Sequence, residues 1–222
     1  MIKIGTTEIG QVKLGNENVS AVNIGDRLAF PTEIEYLQSD SHQYIDTGII
    51  ASGEFEILIG LEFSSPLNSG TVVCAGVRSS SQFLTLVQKN PNNHDLALGY
   101  ADNAWGSTFI IAANTKYNMN FHYEDKSQYV FVNGTKYGNQ TYSGTLNSDL
   151  SIYLFKRHHY STDSVSGLQG KIYYTKIIKN GQMVGDFIPV RIGQTGYMYD
   201  KVSGQLFGNA GTGNFILGPD VV

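Results

Sequence analysis

Residues 118–138, with the sequence NMNFHYEDKSQYVFVNGTKYG, decide the fold class. Apolar and polar residues alternate on both sides of Glu124–Ser127, which is the pattern of two half-buried strands joined by a turn. Asn133-Gly134 then supplies a second tight turn, because both residues tolerate a positive φ. The stretch therefore predicts three consecutive antiparallel strands.

The same pattern continues along most of the chain. Alternating or apolar runs, separated by turn residues, predict further strands. These cover residues 33–38, 43–49, 54–63, 71–77, 83–88, 96–100, 108–113, 171–178 and 182–188. No stretch shows sustained helical periodicity with caps. The predicted fold is all-β: a jelly-roll or two-sheet β-sandwich, preceded by a small β element built from repeats.

The first thirty residues are one decapeptide written three times: MIKIGTTEIG, QVKLGNENVS and AVNIGDRLAF. Each copy offers a short alternating strand, a turn that starts at glycine and a second apolar stretch. Thirty such residues bury too little surface to stand alone. We therefore predict an anchor at 1–30, for oligomerisation or attachment, and a jelly-roll domain at 31–222. The predicted assembly interface consists of Ile2, Ile4, Ile9, Val12, Leu14, Val19, Val22 and Ile24.

Composition excludes several classes of function. The net charge of −4 and the dispersed basic residues argue against a nucleic-acid partner. No run approaches eighteen consecutive apolar residues, so no membrane span is predicted. The N-terminus lacks the pattern of a secretory signal, so we expect either synthesis in the cytoplasm or a mature fragment. Cys74 is the single cysteine and lies in an apolar run, which predicts a buried thiol and no internal disulfide.

Four segments resemble one superfamily of β-sandwiches. They are EIEYLQSDSHQYIDTGI (33–49), QYVFVNGTKYG (128–138), LQGKIYYTKIIKNGQMVGDFIPV (168–190) and GYMYDKVSGQLFGNAGTGNFILG (196–218). Together they look like a concanavalin A-like lectin/glucanase domain of the laminin G-like kind, over about residues 32–219. Such domains occur in gut-bacterial and phage-encoded proteins. The repeats, of the form apolar-x-apolar-Gly, likewise resemble those of phage virion proteins that carry such a domain.

The acidic pattern does not favour catalysis. Hydrolysis of a glycosidic bond needs two carboxylates on either side of the bond, and the family's glucanases cluster acidic residues along one strand. The comparable pairs are Glu33/Glu35 and Glu54/Glu56, and neither has the third acidic member of that motif. We therefore predict no catalytic residue and no enzyme activity.

The sequence predicts no metal site. His158 and His159 are adjacent, so in a strand their rings point to opposite faces and cannot easily share an ion. Members of the family often bind calcium through loop carboxylates, which leaves calcium possible near Asp46, Asp102 or Asp200. No ligand spacing distinguishes these three residues, and no cofactor is predicted.

Two polar-aromatic stretches are candidates for glycan contact. GYADNAWGSTF (99–109) holds Trp105 beside Asp102 and Asn103, and KRHHYSTDS (156–164) holds Arg157 and Tyr160. An exposed ring can stack on a sugar while amide, carboxylate or guanidinium groups bind its hydroxyls. The alternatives stay open: Trp105 could belong to the core, and the second stretch could be an ordinary solvated loop.

Taken together, these features predict a non-enzymatic structural protein of a bacteriophage virion. It would be a head or tail fibre or capsid decoration, made in the host cytoplasm without a signal peptide. Homotrimerisation, contact with other virion proteins and contact with a host-surface glycan are expected. The alternative is a bacterial surface carbohydrate-binding module; a glycoside hydrolase fits less well.

Overall fold

The computed structural model describes residues 2–4, 7–9, 12–14, 17–19, 23–24, 27–28, 31–64, 72–79, 82–88, 95–160 and 166–221. These residues form strands, turns and loops but no helix, and so no helix long and apolar enough to cross a membrane. The all-β class predicted from the sequence is confirmed. The strands are β1 (Ile2–Ile4), β2 (Thr7–Ile9), β3 (Val12–Leu14), β4 (Glu17–Val19), β5 (Asn23–Ile24), β6 (Arg27–Leu28), β7 (Thr32–Glu33), β8 (Leu37–Asp40), β9 (Ile45–Ser52), β10 (Phe55–Phe63), β11 (Val72–Arg78), β12 (Phe83–Gln88), β13 (Asp95–Ala101), β14 (Asn103–Ile110), β15 (Lys116–Glu124), β16 (Ser127–Val132), β17 (Thr135–Thr141), β18 (Asn147–Leu154), β19 (His158–His159), β20 (Ser166–Gly167), β21 (Gln169–Lys179), β22 (Gln182–Ile192), β23 (Thr195–Asp200), β24 (Gln205–Phe207) and β25 (Ile216–Leu217).

Two sheets form the sandwich. The larger sheet has the order β17-β16-β15-β10-β21-β22-β23-β24, continues into β3 and β4, and also includes β7, β8 and β25. The smaller sheet has the order β14-β13-β12-β11-β18-β9, with β19 and β20 beside β11. Most neighbouring strands are antiparallel, as expected for a jelly roll.

The core lies between the sheets. Along β15, β16 and the first half of β10, buried and less buried residues alternate, so each strand turns one face inward. One hydrophobic cluster joins side chains of the larger sheet, such as Ile59 and Phe121, to side chains of the smaller sheet, such as Leu86 and Leu154. All four are 0% exposed. The opposite face of the larger sheet, its outer face, is left for other contacts.

The predicted tight turns are confirmed. Asn133-Gly134 joins β16 to β17, and Asn180-Gly181 joins β21 to β22; all four residues have φ between 48° and 85°. The turn between β15 and β16 centres on Asp125 and Lys126, where Glu124 pairs with Ser127 across the hairpin. Two residues with positive φ match the twist of such hairpins.

Each of the three decapeptides folds as a β-hairpin in its described backbone: β1 with β2, β3 with β4, and β5 with β6. The second hairpin continues the larger sheet, since β3 runs parallel to β24 with Lys13 beside Gln205 and Leu14 beside Leu206. The side chains of the repeats lie outside the described part of the chain. The predicted interface at Ile2, Ile4, Ile9, Val12, Leu14, Val19 and Ile24 is therefore described for its backbone alone, and Val22 is not described.

Several strands differ from the sequence prediction. Of the strand predicted at 108–113 only 108–110 is strand, as the end of β14, which begins at Asn103, and 111–113 is not strand. The strands β18, β23, β24 and β25 lie outside the predicted runs; β24 and β25, of three and two residues, are too short for alternation to show. The predicted strand at 33–38 is split into β7 and β8 around the isolated bridge between Ile34 and Asp220.

Cys74 provides a test of the core. The residue is 1% exposed, and burial raises the pKa of its thiol to about 12. A thiol that is both buried and protonated does not attack electrophiles. We expect the folded protein to resist alkylation by a water-soluble maleimide at neutral pH and to react fully in denaturant. Rapid labelling without denaturant would contradict this placement of β11.

Candidate functional site

The outer face of the larger sheet carries two consecutive tyrosines because of a β-bulge. Between β10 and β21, Gly60 pairs with Tyr174 but Leu61 pairs with Ile172, so Tyr173 is the extra residue. A bulge interrupts the alternation of side chains and can turn neighbours to one face. Tyr173 and Tyr174 both contact outward-facing groups and form what we call the tyrosine platform.

Tyr174 lies over Gly60 on the outer face. A Cβ at that glycine would come within 2.6 Å of Cε1 of the tyrosine ring, so the absence of a side chain makes room for the ring. The Tyr174 hydroxyl donates a hydrogen bond to Oδ1 of Asn118 on β15, at 3.1 Å. Among the described residues no aromatic ring or ammonium group stacks on the ring of Tyr174. This half-buried ring is thus held in place by Gly60 and Asn118.

Tyr173 belongs to a charged cluster. Its hydroxyl donates to Oε2 of Glu62 at 2.9 Å, and Lys171 Nζ lies 2.7 Å from Oε1 of the same carboxylate. Burial, followed by the hydrogen bond to Glu62, raises the pKa of Tyr173. Lys116 Nζ lies 3.9 Å above the Tyr173 ring, and Lys171 Nζ lies 4.7 Å from the ring centroid of Tyr36. These are cation–π distances.

Polar groups continue along the outer face toward the other end of the sheet. Asn120 donates to Oε1 of Glu56 at 2.8 Å. His122 Nδ1 lies 3.0 Å from Glu124 Oε1, and its Nε2 lies 3.8 Å from Glu56 Oε1. Tyr129 stacks on His122 with the ring centroids 4.6 Å apart, and its hydroxyl donates to Glu124.

A small open cleft lies beside these residues at the sheet end. We call it the glutamate cleft; it is lined by Glu54, Phe55, Glu56, Glu124, Ile178, Asn180 and Gly181. The carboxylates are engaged within the protein. Glu54 accepts from the backbone N–H of Asp125, while Glu56 and Glu124 accept from Asn120 and Tyr129. Sequence inspection found Glu54 and Glu56 but missed Glu124, because it comes from a neighbouring strand.

The smaller sheet carries a second group of rings. Tyr44 stacks on Tyr153 at 4.7 Å, and Tyr153 stacks on His158 at 4.1 Å. Burial, then the charge of Asp46, raises the pKa of Tyr153 to about 12. Both faces of Tyr153 are covered, so this stack offers a ligand less ring surface than Tyr174 does.

The candidate residues near Trp105 are placed as follows. Asp102 is exposed at the turn between β13 and β14, and Trp105 lies inside β14 with its backbone paired to Leu98. The Asp102 carboxylate accepts from Ser143 Oγ at 2.8 Å and from the backbone N–H of Gly144. These bonds, the Ser143 hydroxyl first, lower the pKa of Asp102. The side chains of Asn103 and Trp105 are not described, so their glycan role stays a prediction.

The second predicted stretch is only partly accessible. Arg157 is 7% exposed, whereas Tyr160 is 58% exposed and stacks on His159 at 4.8 Å. Between them, His158 and His159 form the short strand β19, which pairs with β11, and residues 161–164 lie outside the described part of the chain. Their role in glycan contact also stays a prediction.

The histidine pair behaves as strand geometry predicts. His158 stacks on Tyr153 while His159 stacks on Tyr160, so the two rings face different partners. In the described ranges no group of three His, Cys, Asp or Glu residues could hold a metal ion.

The aspartates considered for calcium are used in turns. Asp200 is buried and accepts from the backbone N–H groups of Asp186, Val202 and Ser203. Asp46 likewise accepts from the backbone N–H of Gly48.

Comparison with known proteins shows the fold. No protein-family model matches the chain, and no curated protein matches it by sequence. A candidate carbohydrate binding protein from Bacteroides ovatus matches with a TM-score of 0.62 and 12% identity, over 95% of this chain and 71% of that one. Domains LG4-5 of the mouse laminin α1 chain match with a TM-score of 0.51 and 13% identity, over 78% of this chain and 48% of that one. The chain thus shares a two-sheet β-sandwich fold with these proteins, consistent with the concanavalin A-like fold that the sequence resemblance implies.

Glu62 provides a test of the tyrosine platform. Its side chain is 10% exposed, and removing it leaves the Lys171 ammonium and the Tyr173 hydroxyl without their acceptor. We expect Glu62→Ala to lower the free energy of unfolding by about 1–3 kcal/mol, measured by urea denaturation. The exposed Glu35→Ala is the control and should change stability by less than about 0.5 kcal/mol. Equal effects of the two substitutions would contradict the described network.

Proposed function

We propose that the protein is a non-enzymatic glycan-binding protein whose ligand lies on the outer face of the larger sheet. The observation that carries the proposal is the half-buried ring of Tyr174, held over Gly60 and anchored to Asn118, with no other ring or ammonium group of the described residues stacked on it. A sugar ring presents C–H groups on its faces and hydroxyls around its rim. A fixed aromatic ring beside hydrogen-bonding groups is complementary to both.

The groups around Tyr174 support a saccharide over a purely apolar ligand. Asn118 and Asn120 lie on β15 on the same face, and Glu56 and Glu62 lie on β10 beside them. Asn120 Oδ1 is buried without a hydrogen-bond partner in the protein. Amide and carboxylate oxygens accept from hydroxyl groups, and a few such groups fix the orientation of a ligand. The similarity to the Bacteroides ovatus protein, described as a candidate carbohydrate binding protein, agrees with this proposal.

The engagement of the carboxylates supports binding without hydrolysis. A glycosidase needs a general acid and a second carboxylate directed at the bond to be cleaved. In the glutamate cleft each of the three carboxylates already accepts a hydrogen bond from the protein. Their arrangement favours a structural role for these groups over catalysis.

For the repeats we propose attachment to a larger assembly, with the sandwich projecting from it. Three hairpins, each one decapeptide long, are suited to repeated contacts with other copies or other proteins. The setting we propose is a bacteriophage virion, as a homotrimeric fibre or decoration that meets a host-surface glycan. A bacterial surface carbohydrate-binding module would use the same glycan site without the virion contacts.

Binding of the full-length protein to a glycan array tests the site. Tyr174→Ala should abolish binding or weaken it at least about tenfold, a loss of about 1.4 kcal/mol, because it removes the ring on which the sugar stacks. Tyr174→Phe keeps the ring and loses only the bond to Asn118, so it should retain most of the affinity. Tyr160→Ala is the competing variant, since that exposed tyrosine belongs to the other candidate stretch. Loss in Tyr160→Ala with full binding by Tyr174→Ala would place the site elsewhere.

Lysine substitutions in the full chain test the role of the repeats. Ile4→Lys, Leu14→Lys and Ile24→Lys together should convert an oligomer into a monomer, since each adds a charge to an apolar column of the repeats. Sedimentation velocity measures the change. Lys13→Ser is the control and should leave the oligomer intact, because position 13 alternates with the apolar positions 12 and 14. A wild-type protein that is monomeric in dilute solution would refute self-assembly through the repeats.

A further inference from the structure

We infer that the glycan bound on the tyrosine platform is anionic, and that Lys116 binds its carboxylate or sulfate group. The inference rests on the proposed glycan site and names the class of ligand. Lys116 Nζ lies 3.9 Å above the Tyr173 ring, and no carboxylate lies within ion-pairing distance of it among the described residues. This ammonium group is therefore available to a negatively charged ligand.

The position of Lys116 fits a ligand stacked on Tyr174. Lys116 lies two residues before Asn118 on β15, roughly 7 Å along the strand, and Asn118 accepts the hydrogen bond from Tyr174. The neighbouring ring of Tyr173 is already covered by the lysine. A sugar on Tyr174 would thus extend its substituents toward the ammonium group.

Charge around Lys116 favours an anion. Glu62, its cross-strand neighbour on β10, is already bound by Lys171 and by the Tyr173 hydroxyl. The cluster thus holds two ammonium groups and one carboxylate. Glu35 is exposed, and its charge is the weakest of the named influences on the Tyr173 pKa. No carboxylate of the described residues forms an ion pair with Lys116, so its ammonium group remains available to an anionic ligand.

A second exposed lysine shows the contrast. Lys136 Nζ lies 3.7 Å above the ring of Tyr129, in the same kind of contact. The charges of Glu124, Glu56 and Asp125 all act on that tyrosine and help to raise its pKa. Because Lys136 lies against that ring, the same carboxylates make this end of the face less favourable for an anionic ligand. Lys116 and Lys136 thus carry the same charge and make the same kind of ring contact, but the charged groups around the two tyrosines differ.

The test uses an array of carboxylated and sulfated glycans, each beside a neutral counterpart that lacks only the charged group. The full-length protein should bind charged members at least about tenfold more tightly than their counterparts, since a hydrogen bond to a charged group has this effect. Lys116→Gln should remove the preference while leaving binding of the neutral counterparts intact. Lys136→Gln should leave the preference unchanged or increase it. Added salt should reduce the preference of the wild-type protein, because exposed charges are screened.

The outcomes separate the two proposals. Equal binding of charged and neutral members, lost in Tyr174→Ala, overturns the inference and leaves the glycan site in place. Selective loss in Lys136→Gln rather than Lys116→Gln also overturns it. An absence of binding to every glycan, charged or neutral, removes the proposed function and the inference with it.

Discussion

The pairing of β10 with β21 is the constraint on which the larger sheet depends. The strand β10 lies between β15 and β21 and pairs with both along nearly its whole length. Its inward side chains are buried, while its outward positions include Gly60 and Glu62. The bulge at Gly60 lets Tyr173 and Tyr174 share the outer face, and Glu62 holds Lys171 and Tyr173 beside them. The β-bulge between β10 and β21 therefore places Tyr174 and the charged cluster around Tyr173 on the same face.

Local signals in the sequence were sufficient to predict the fold class. Alternation over β15 and β16 and the turn at Asn133-Gly134 depend on neighbouring residues, and the structure confirms them. The bulge could not be predicted in this way, because it arises from the register between strands more than one hundred residues apart. The return of the chain at β19, where two residues pair with β11, likewise depends on tertiary contacts.

The candidate site illustrates the same limit. Sequence inspection selected Trp105 and Tyr160 because polar or turn-forming residues flank them, which is a local criterion. Tyr174 lies in a strand-like run, KIYYTKII, where alternation predicts that one of two adjacent tyrosines faces the core. The role of Gly60 is visible only when the ring is placed above it. A pair of tyrosines opposite a glycine in a predicted neighbouring strand is the signal that could have indicated this surface.

The second decapeptide repeat pairs with the edge of the larger sheet, because β3 runs beside β24. A free edge strand exposes backbone groups that invite pairing with other chains. Here β3 covers part of β24, but through two register pairs, compared with six between β22 and β23. Near that edge Val190, Ile192 and Leu206 form a second buried cluster, separate from the main core. So short a ladder contributes little to holding the second hairpin against the sandwich. The contacts with other copies or other proteins that we propose for the repeats would add to it.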